Sequence, residues 1–233
     1  MLRRHVELGQ LVFGVNHKMG DFRTGRKKAL DLVICTPGTG GTDNAAPTVS
    51  SLAGDLWIEL EKSEKSVLAK LPELREGPVG AVRVALEAKA CMTAHVKALP
   101  RLHDELNSSH PAIHGSSDHA VAAGFVMVNL ASTFVSPERN KQASSHQIPT
   151  ISKHKQPNDT QRVIDKVKEI PRRSAPGSVG FDALGIVVVE MRNDGSPVRL
   201  VTEPPAPPDN DLLHYESMIR RIANLYETRF AHA

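Results

Sequence analysis

Two short runs of the sequence place a carboxylate inside an otherwise apolar segment. They are ALDLVI (29–34) and VALEAK (84–89), and both are rich in aliphatic and β-branched residues, which predicts buried strands. Alternate side chains of a strand point to the same face, so Glu87 and Lys89 project together while the small Ala88 points the other way. Charged side chains in an apolar strand are costly to bury unless they are paired with each other or bound to a metal.

One explanation of this cost is a site for Mg²⁺, which takes carboxylate and carbonyl oxygens and keeps several of its waters. Asp31, Glu87 and the carbonyl of Ala88 supply such oxygens. Lys89 would then orient or help to deprotonate an attacking water and offset the charge of a phosphodiester. This set of groups predicts metal-dependent hydrolysis of a phosphodiester bond. A purely structural Glu87–Lys89 ion pair is the alternative.

The same residues resemble the motif of the PD-(D/E)xK nuclease superfamily, which includes most type II restriction endonucleases. LDLVI (30–34) matches the first acid, and LEAK (86–89) matches the second acid and the lysine. The resemblance implies that Asp31 and Glu87 bind Mg²⁺ and that Lys89 positions the water or stabilises the transition state.

The elements predicted around the motif follow a similar order. Apolar residues at helical spacing predict a helix over 2–19, before the first acid, and a second helix over 91–109 follows the lysine. An apolar strand over 120–132 comes next, so the resemblance covers a core of about residues 1–132. A Glu on the first helix sometimes joins the metal site in this superfamily, and Glu7 is the candidate here.

The identity of the first acid has an alternative. Asp31 lacks the preceding proline of the motif, and Glu87 follows it by 56 residues, which makes 36–78 an insertion. Asp55 lies only 32 residues before Glu87 and is the second candidate. We favour Asp31 because its strand is the better defined.

The rest of the chain extends this core into a mixed α/β layout. The further predicted elements are a strand over 29–35, a loop over 36–54, a helix over 56–75, a strand over 79–90, a loop over 136–158, a helix over 159–170, a hairpin over 181–204 that turns at Asp194-Gly195, and a helix over 211–230. We therefore expect a mixed central sheet flanked by helices, a restriction-endonuclease-like core, with a C-terminal hairpin and helix. The prediction is one nuclease-like domain over 1–233, whose C-terminal extension is 156–233.

Length and composition limit the classes of protein to which the chain can belong. The chain has 233 residues, of which 40% are hydrophobic and 24% charged, enough for a core and unlike a disordered chain or a coiled coil. The net charge of +3 permits a nucleic-acid partner without requiring one. Aromatic residues make up only 4%, which disfavours stacking platforms for single strands and favours duplex DNA.

The cysteines and the hydropathy of the chain indicate the cellular compartment in which the protein is expected. The two cysteines, Cys35 and Cys91, form no disulfide framework, which favours a reducing compartment such as the cytoplasm. The longest apolar stretch, 120–135, is too short for a membrane span and contains Asn129. No apolar region follows the basic start of the chain, so no secretory signal is expected.

Three further patterns give less support for a functional site. His110 and His114 have the spacing of a zinc half-site, but exposed loop histidines are the preferred interpretation. Cys91 lies two residues after Lys89, and we interpret it as a packing residue rather than a nucleophile. The glycines of TPGTGGT (36–42) lack the spacing of a nucleotide-binding loop.

The sequence therefore predicts a Mg²⁺-dependent endonuclease of restriction-enzyme type that acts on double-stranded DNA. Cleavage of a palindrome favours a two-fold homodimer, to which the helix over 211–230 would contribute. Two alternatives remain: a non-catalytic DNA-binding or scaffold module, and a repair nuclease that recognises DNA structure.

Overall fold

The computed structural model describes residues 1–41, 43–140 and 148–231. Its strands are β1 (Val12–Gly20), β2 (Lys27–Pro37), β3 (Val79–Cys91), β4 (Val121–Asn129), β5 (Thr133–Val135), β6 (Ile151–Lys153), β7 (Ala183–Glu190) and β8 (Arg199–Val201). Its helices are α1 (Leu2–Glu7), α2 (Val49–Asp55), α3 (Lys62–Leu68), α4 (His95–Ser116), α5 (Pro137–Asn140), α6 (Asn158–Lys168) and α7 (Tyr215–Phe230).

Six strands form one mixed sheet in the order β1-β2-β3-β4-β7-β8. β1, β2 and β3 pair antiparallel in succession, and Leu32 of β2 lies opposite Leu86 of β3. β4 and β7 are parallel, so a crossover that contains α6 connects them. β8 returns antiparallel to β7, and β5 pairs with β6 in a separate two-stranded sheet. The predicted α/β class with a mixed sheet, a C-terminal hairpin and a C-terminal helix is confirmed.

The chain packs as two compact units. The first consists of Met1–Leu86, Ala112–Ala122 and the chain from Ile222 onward. Its core includes Leu11, Val84, Val121, Tyr226 and Phe230, all buried. Within this unit the hydroxyl of Tyr226 lies 2.7 Å from Nδ1 of the buried His5.

The second unit consists of Glu87–Pro111 and Ala123–Arg221. Both faces of its parallel strands β4 and β7 are buried, which accounts for their continuous apolar sequences. α6 buries one stripe of apolar residues, Val163, Ile164 and Val167, as its predicted amphipathic pattern requires. The single domain predicted over 1–233 stays a prediction.

Most of the predicted buried strands and helices are confirmed. The strands expected over 29–35, 79–90 and 120–132 are β2, β3 and β4. The helices expected over 159–170 and 211–230 are α6 and α7, and the C-terminal hairpin is formed by β7 and β8.

The helix predicted over 2–19 is wrong beyond its first turns. α1 ends at Glu7, and Gly9 follows with a left-handed φ of +67°, which a glycine adopts at low cost. The chain then forms β1, which pairs with β2 from Val12 opposite Cys35 to Gly20 opposite Lys27. The apolar residues at mixed three- and four-residue spacing therefore lie mostly on a strand and not on a helix. A neighbouring strand supplied the hydrogen bonds that a helix would have made internally.

Other boundaries also differ from the prediction. Of the helix expected over 56–75 only α3 is helical, and the loop expected over 36–54 ends in α2. The helix expected over 91–109 runs to Ser116 as α4, and Pro100 does not split it. The loop expected over 136–158 contains α5 and β6, while its residues 141–147 lie outside the described residues.

Among the described residues, no helix combines the length and the apolar character that crossing a membrane requires.

Candidate active site

Glu87 and Lys89 form a close ion pair on one face of β3. Lys89 Nζ lies 2.6 Å from Glu87 Oε1. The Glu87 side chain is 1% exposed and the Lys89 side chain 21% exposed. The alternation of the strand thus brings the two charges together as the sequence predicted. Lys89 extends from the buried carboxylate toward solvent.

Glu105 of α4 is a further member of this cluster that was not predicted from the sequence. Its Oε2 lies 3.4 Å from Lys89 Nζ, and its Oε1 accepts a hydrogen bond of 2.6 Å from Nε of Arg101. The Arg101 hydrogen bond, reinforced by the charge of Lys89, lowers the pKa of the Glu105 carboxyl. The available signal was the four-residue spacing of Arg101 and Glu105 on a predicted helix, which is typical of an ion pair.

The cluster borders a surface cavity of about 390 Å³. Lys89, Arg101 and Glu105 line this cavity together with apolar parts of β3 and α4. One carboxylate and two cations thus face the cavity, while a second carboxylate lies buried behind Lys89. A ligand with negative oxygens can approach the cations without displacing Glu87.

Cys91 also lines the cavity, as a buried free thiol. Burial raises its pKa to about 11, so at neutral pH it is a protonated thiol. A protonated, 2% exposed sulfur is a poor nucleophile. This agrees with the interpretation of Cys91 as a packing residue.

The other predicted acids lie on β2, α1 and α2. Asp31 is half-buried on β2, directly after the fully buried Leu30. Glu7 is half-exposed on α1, where its Oε1 lies 2.9 Å from Nε of Arg3. Asp55 is exposed at the end of α2. Asp31 is thus the only one of these three acids that lies on a strand of the central sheet.

The part of the chain that the structure describes holds no group of three or more His, Cys, Asp or Glu side chains that could bind a metal ion. The predicted Mg²⁺ donors are two carboxylates, from Asp31 and Glu87, and the Ala88 carbonyl, a smaller set of acids. Binding of Mg²⁺ by these three donors therefore stays a prediction.

The histidine-rich stretch differs from the predicted exposed loop. His110 and His114 lie on α4, and His110 is only 2% exposed. The His110 ring packs edge-on against Phe181, and its Nε2 lies 3.2 Å from Oδ1 of Asn107. The prediction was wrong because α4 continues past Asn107 as far as Ser116 and carries both rings with it.

Comparison of the chain with protein family models, curated proteins and solved structures finds no match. The resemblance to the PD-(D/E)xK superfamily therefore stays a prediction from the two motif segments.

Proposed function

We propose that this protein is a Mg²⁺-dependent endonuclease that hydrolyses phosphodiester bonds of double-stranded DNA, in the manner of a type II restriction enzyme. The observation that supports it is the Glu-x-Lys pair of β3. A carboxylate that is 1% exposed lies 2.6 Å from a lysine that opens onto a surface cavity. Burying such a pair in an apolar strand costs free energy that a well-packed apolar pair would not. A catalytic role explains its presence.

In this proposal Glu87 and the Ala88 carbonyl contribute oxygen donors to Mg²⁺. Asp31 contributes the first carboxylate, as the sequence resemblance implies. When bound, Mg²⁺ polarises the scissile phosphate and lowers the pKa of a bound water.

Lys89 has a defined part in the proposed reaction. Its ammonium lies beside the carboxylates of Glu87 and Glu105, so it is the cation of both ion pairs. We therefore assign Lys89 the donation of hydrogen bonds to the water or to a phosphate oxygen, rather than the removal of a proton. Arg101 lies four residues before Glu105 on α4 and adds a second positive charge at the cavity.

Cleavage of both strands favours a two-fold homodimer in which each subunit cuts one strand. α7 is the proposed contact, since Ile219 on this helix is 43% exposed although it is apolar. Gel filtration that gives the mass of a monomer both with and without DNA would contradict the dimer.

The same contacts favour one alternative, a non-catalytic module. Lys89 is paired with Glu87 and Glu105, and Glu105 with Arg101, so the cluster also forms an ion-pair network that a structural role would explain. In that case the chain binds DNA or acts as a scaffold without cutting.

The test is cleavage of unmethylated plasmid DNA with Mg²⁺, beside a lane with EDTA. We expect discrete fragments from the wild-type protein, none with EDTA, and a loss of rate of about a hundredfold or more for Lys89→Ala and Glu87→Gln. Lys18→Ala is the matched control, because Lys18 is an exposed lysine of strand β1. Branched and mismatched duplexes in parallel lanes test for a repair nuclease.

Two results would overturn the proposal. If no substrate is cut but gel shifts show DNA binding, the non-catalytic alternative is correct. If cleavage persists in Lys89→Ala at the level of Lys18→Ala, the site has been misassigned.

A further inference from the structure

A second surface cavity, of about 310 Å³, lies within the first compact unit. Elements from both ends of the chain meet there, since α1, β2, β3 and α7 all contribute to its wall. The lining residues that matter here are His5, Leu11, Thr36, Pro37, Arg83 and Tyr226. None of them has a part in the proposed nuclease.

Arg83 of β3 brings a positive charge to this cavity. The residue is half-buried, and no carboxylate or other acceptor of the described residues lies within ion-pair or hydrogen-bond distance of its guanidinium. The carbon of the guanidinium lies 4.5 Å from the centre of the Phe230 ring, so the cation stacks on an aromatic face. Stacking of this kind leaves the N–H groups along the edge of the guanidinium available to a ligand.

His5 of α1 supplies a further donor. It is 8% exposed, and its Nδ1 lies 2.7 Å from the hydroxyl of Tyr226. Within the described residues this hydroxyl has no other hydrogen-bond partner, so its hydrogen is satisfied by donation to Nδ1. Nε2 then carries the proton of the ring, and no acceptor from the described part of the chain binds it.

The electrostatic surroundings of the His5–Tyr226 pair favour an anion. Burial lowers the pKa of His5, and nearby positive charges, that of Arg83 among them, lower it further. Burial raises the pKa of Tyr226. The pair is therefore uncharged at neutral pH, and among the described residues that line the cavity only Arg83 carries a charge.

The remaining wall suits the body of a small organic molecule. Leu11 is 5% exposed and offers an apolar surface together with Pro37. The hydroxyl of Thr36 accepts a 2.9 Å hydrogen bond from the N–H of Ala81, which leaves its own hydrogen to donate. Sites for small molecules combine apolar walls with a few polar groups in volumes of about 300–1,000 Å³, and this cavity lies at the lower end of that range.

We propose that this cavity binds a small molecule through a carboxylate group. A guanidinium donates two parallel hydrogen bonds to the two oxygens of a carboxylate, and its single charge balances that of the ligand. The Nε2–H group of His5 is available for a third hydrogen bond. A phosphate monoester carries a charge of roughly −1.5 to −2, which is more than the one lining cation balances. The inference does not depend on the proposed nuclease activity.

The experiment is a titration followed by two-dimensional ¹⁵N–¹H NMR, which resolves the Nε–H groups of individual arginines. The probes are benzoate, its neutral analogue benzamide, phenyl phosphate, and a short DNA duplex without terminal phosphates. Arg83→Gln removes the charge and also assigns the Arg83 signal, whereas Arg83→Lys keeps the charge and loses the planar fork. The matched control is Arg4→Gln, because Arg4 is an exposed arginine of α1 that does not line the cavity. Circular dichroism establishes that each variant folds.

Benzoate is expected to shift the Nε–H signal of Arg83 and the backbone N–H signal of Gln10, another residue of the wall, at millimolar concentrations. Loss of the charge-assisted hydrogen bonds should weaken benzoate binding about tenfold or more in Arg83→Gln, and loss of the fork about threefold in Arg83→Lys. Arg4→Gln should stay within about twofold of the wild type. Benzamide should bind at least about tenfold more weakly than benzoate, because it lacks the charge.

Four outcomes would overturn the inference. The first is no shift of the Arg83 signal by benzoate at tens of millimolar, and the second is equal binding of benzamide and benzoate. The third is equal weakening by Arg83→Gln and Arg4→Gln, because general electrostatic attraction would then account for the binding. The fourth is tighter binding of phenyl phosphate than of benzoate, or a shift of the Arg83 signal by the duplex, because the ligand would then be a phosphate.

Discussion

Replacement of Lys89 by methionine tests whether the Glu87–Lys89 pair holds β3 in place. The change keeps the length of the side chain and removes an ammonium 2.6 Å from a carboxylate that is 1% exposed. At an effective dielectric constant of about 20, two charges at this distance attract by about 6 kcal/mol before desolvation is counted. Removal of one partner of a buried ion pair costs about 3–5 kcal/mol in net terms. Lys89 is 21% exposed, so the expected loss is about 3 kcal/mol, the lower end of that range.

Urea unfolding followed by far-UV circular dichroism measures this loss. The only tryptophan, Trp57, is 90% exposed, so its fluorescence would report poorly on the core. With a denaturant slope of about 2–3 kcal/mol per molar, the midpoint should fall by about 1 M. Lys18→Met, on the exposed face of β1, should leave the midpoint unchanged within about 0.2 M.

The double variant Glu87→Gln, Lys89→Met separates the contribution of the pair from simple loss of packing. Replacement of both charges by neutral groups of similar volume leaves no isolated buried charge, so most of the lost stability should return. The thermodynamic cycle should give a coupling energy of about 2 kcal/mol. A stabilising Glu87–Lys89 pair is refuted if Lys89→Met unfolds at the same urea concentration as Lys18→Met, or if the two single changes are additive. If the pair is catalytic, the stable double variant should lose nuclease activity. If the pair is only structural, the double variant should bind DNA as the wild type does.

Three smaller predictions follow. The hydrogen bond from Arg101 lowers the pKa of Glu105, so the ionised carboxylate stabilises the fold above the ordinary carboxyl pKa, and this stabilisation is lost as pH falls through the lowered pKa. Glu105→Gln should therefore reduce the dependence of the free energy of unfolding on pH below about pH 5, by less than about 1 kcal/mol. An unchanged pH profile would contradict this. The Cys91 thiol, with a pKa of about 11, should react with iodoacetamide at neutral pH much more slowly than in the urea-unfolded chain, and equal rates would show that the site is open. Tyr226→Phe removes the 2.7 Å hydrogen bond to His5 and should lower the free energy of unfolding by about 1–2 kcal/mol, whereas a change below about 0.3 kcal/mol would show that the bond contributes little.

The sequence was informative where a local pattern and the tertiary environment agree. β2, β3 and β4 carry long apolar runs that are buried in the sheet, and α6 carries an apolar stripe that is buried along one side. The same alternation correctly placed Glu87 and Lys89 on one face of β3. A period of two is a property of the strand itself and needs no knowledge of its neighbours.

The secondary-structure prediction failed where one segment is compatible with two local structures. The segment over 12–19 satisfies helical spacing about as well as strand alternation. The strand forms because β2 offers backbone partners to β1 from Val12 to Gly20. α4 likewise runs through Pro100 and Pro111 although each removes a hydrogen-bond donor. Leu106, which lies between the two prolines, is fully buried, and packing of its buried face is what stabilises a helix in a folded protein.

The amino-acid sequence by itself determined the α/β class, the buried strands and the pairing of Glu87 with Lys89, because strand and helix periodicity act over a few residues. Only the tertiary structure decided that Glu105 joins Lys89 and that Ser136 and Ser152 line one cavity with Lys153. Those groups lie far apart along the chain, and their distances depend on how α4 and β6 pack rather than on any local pattern.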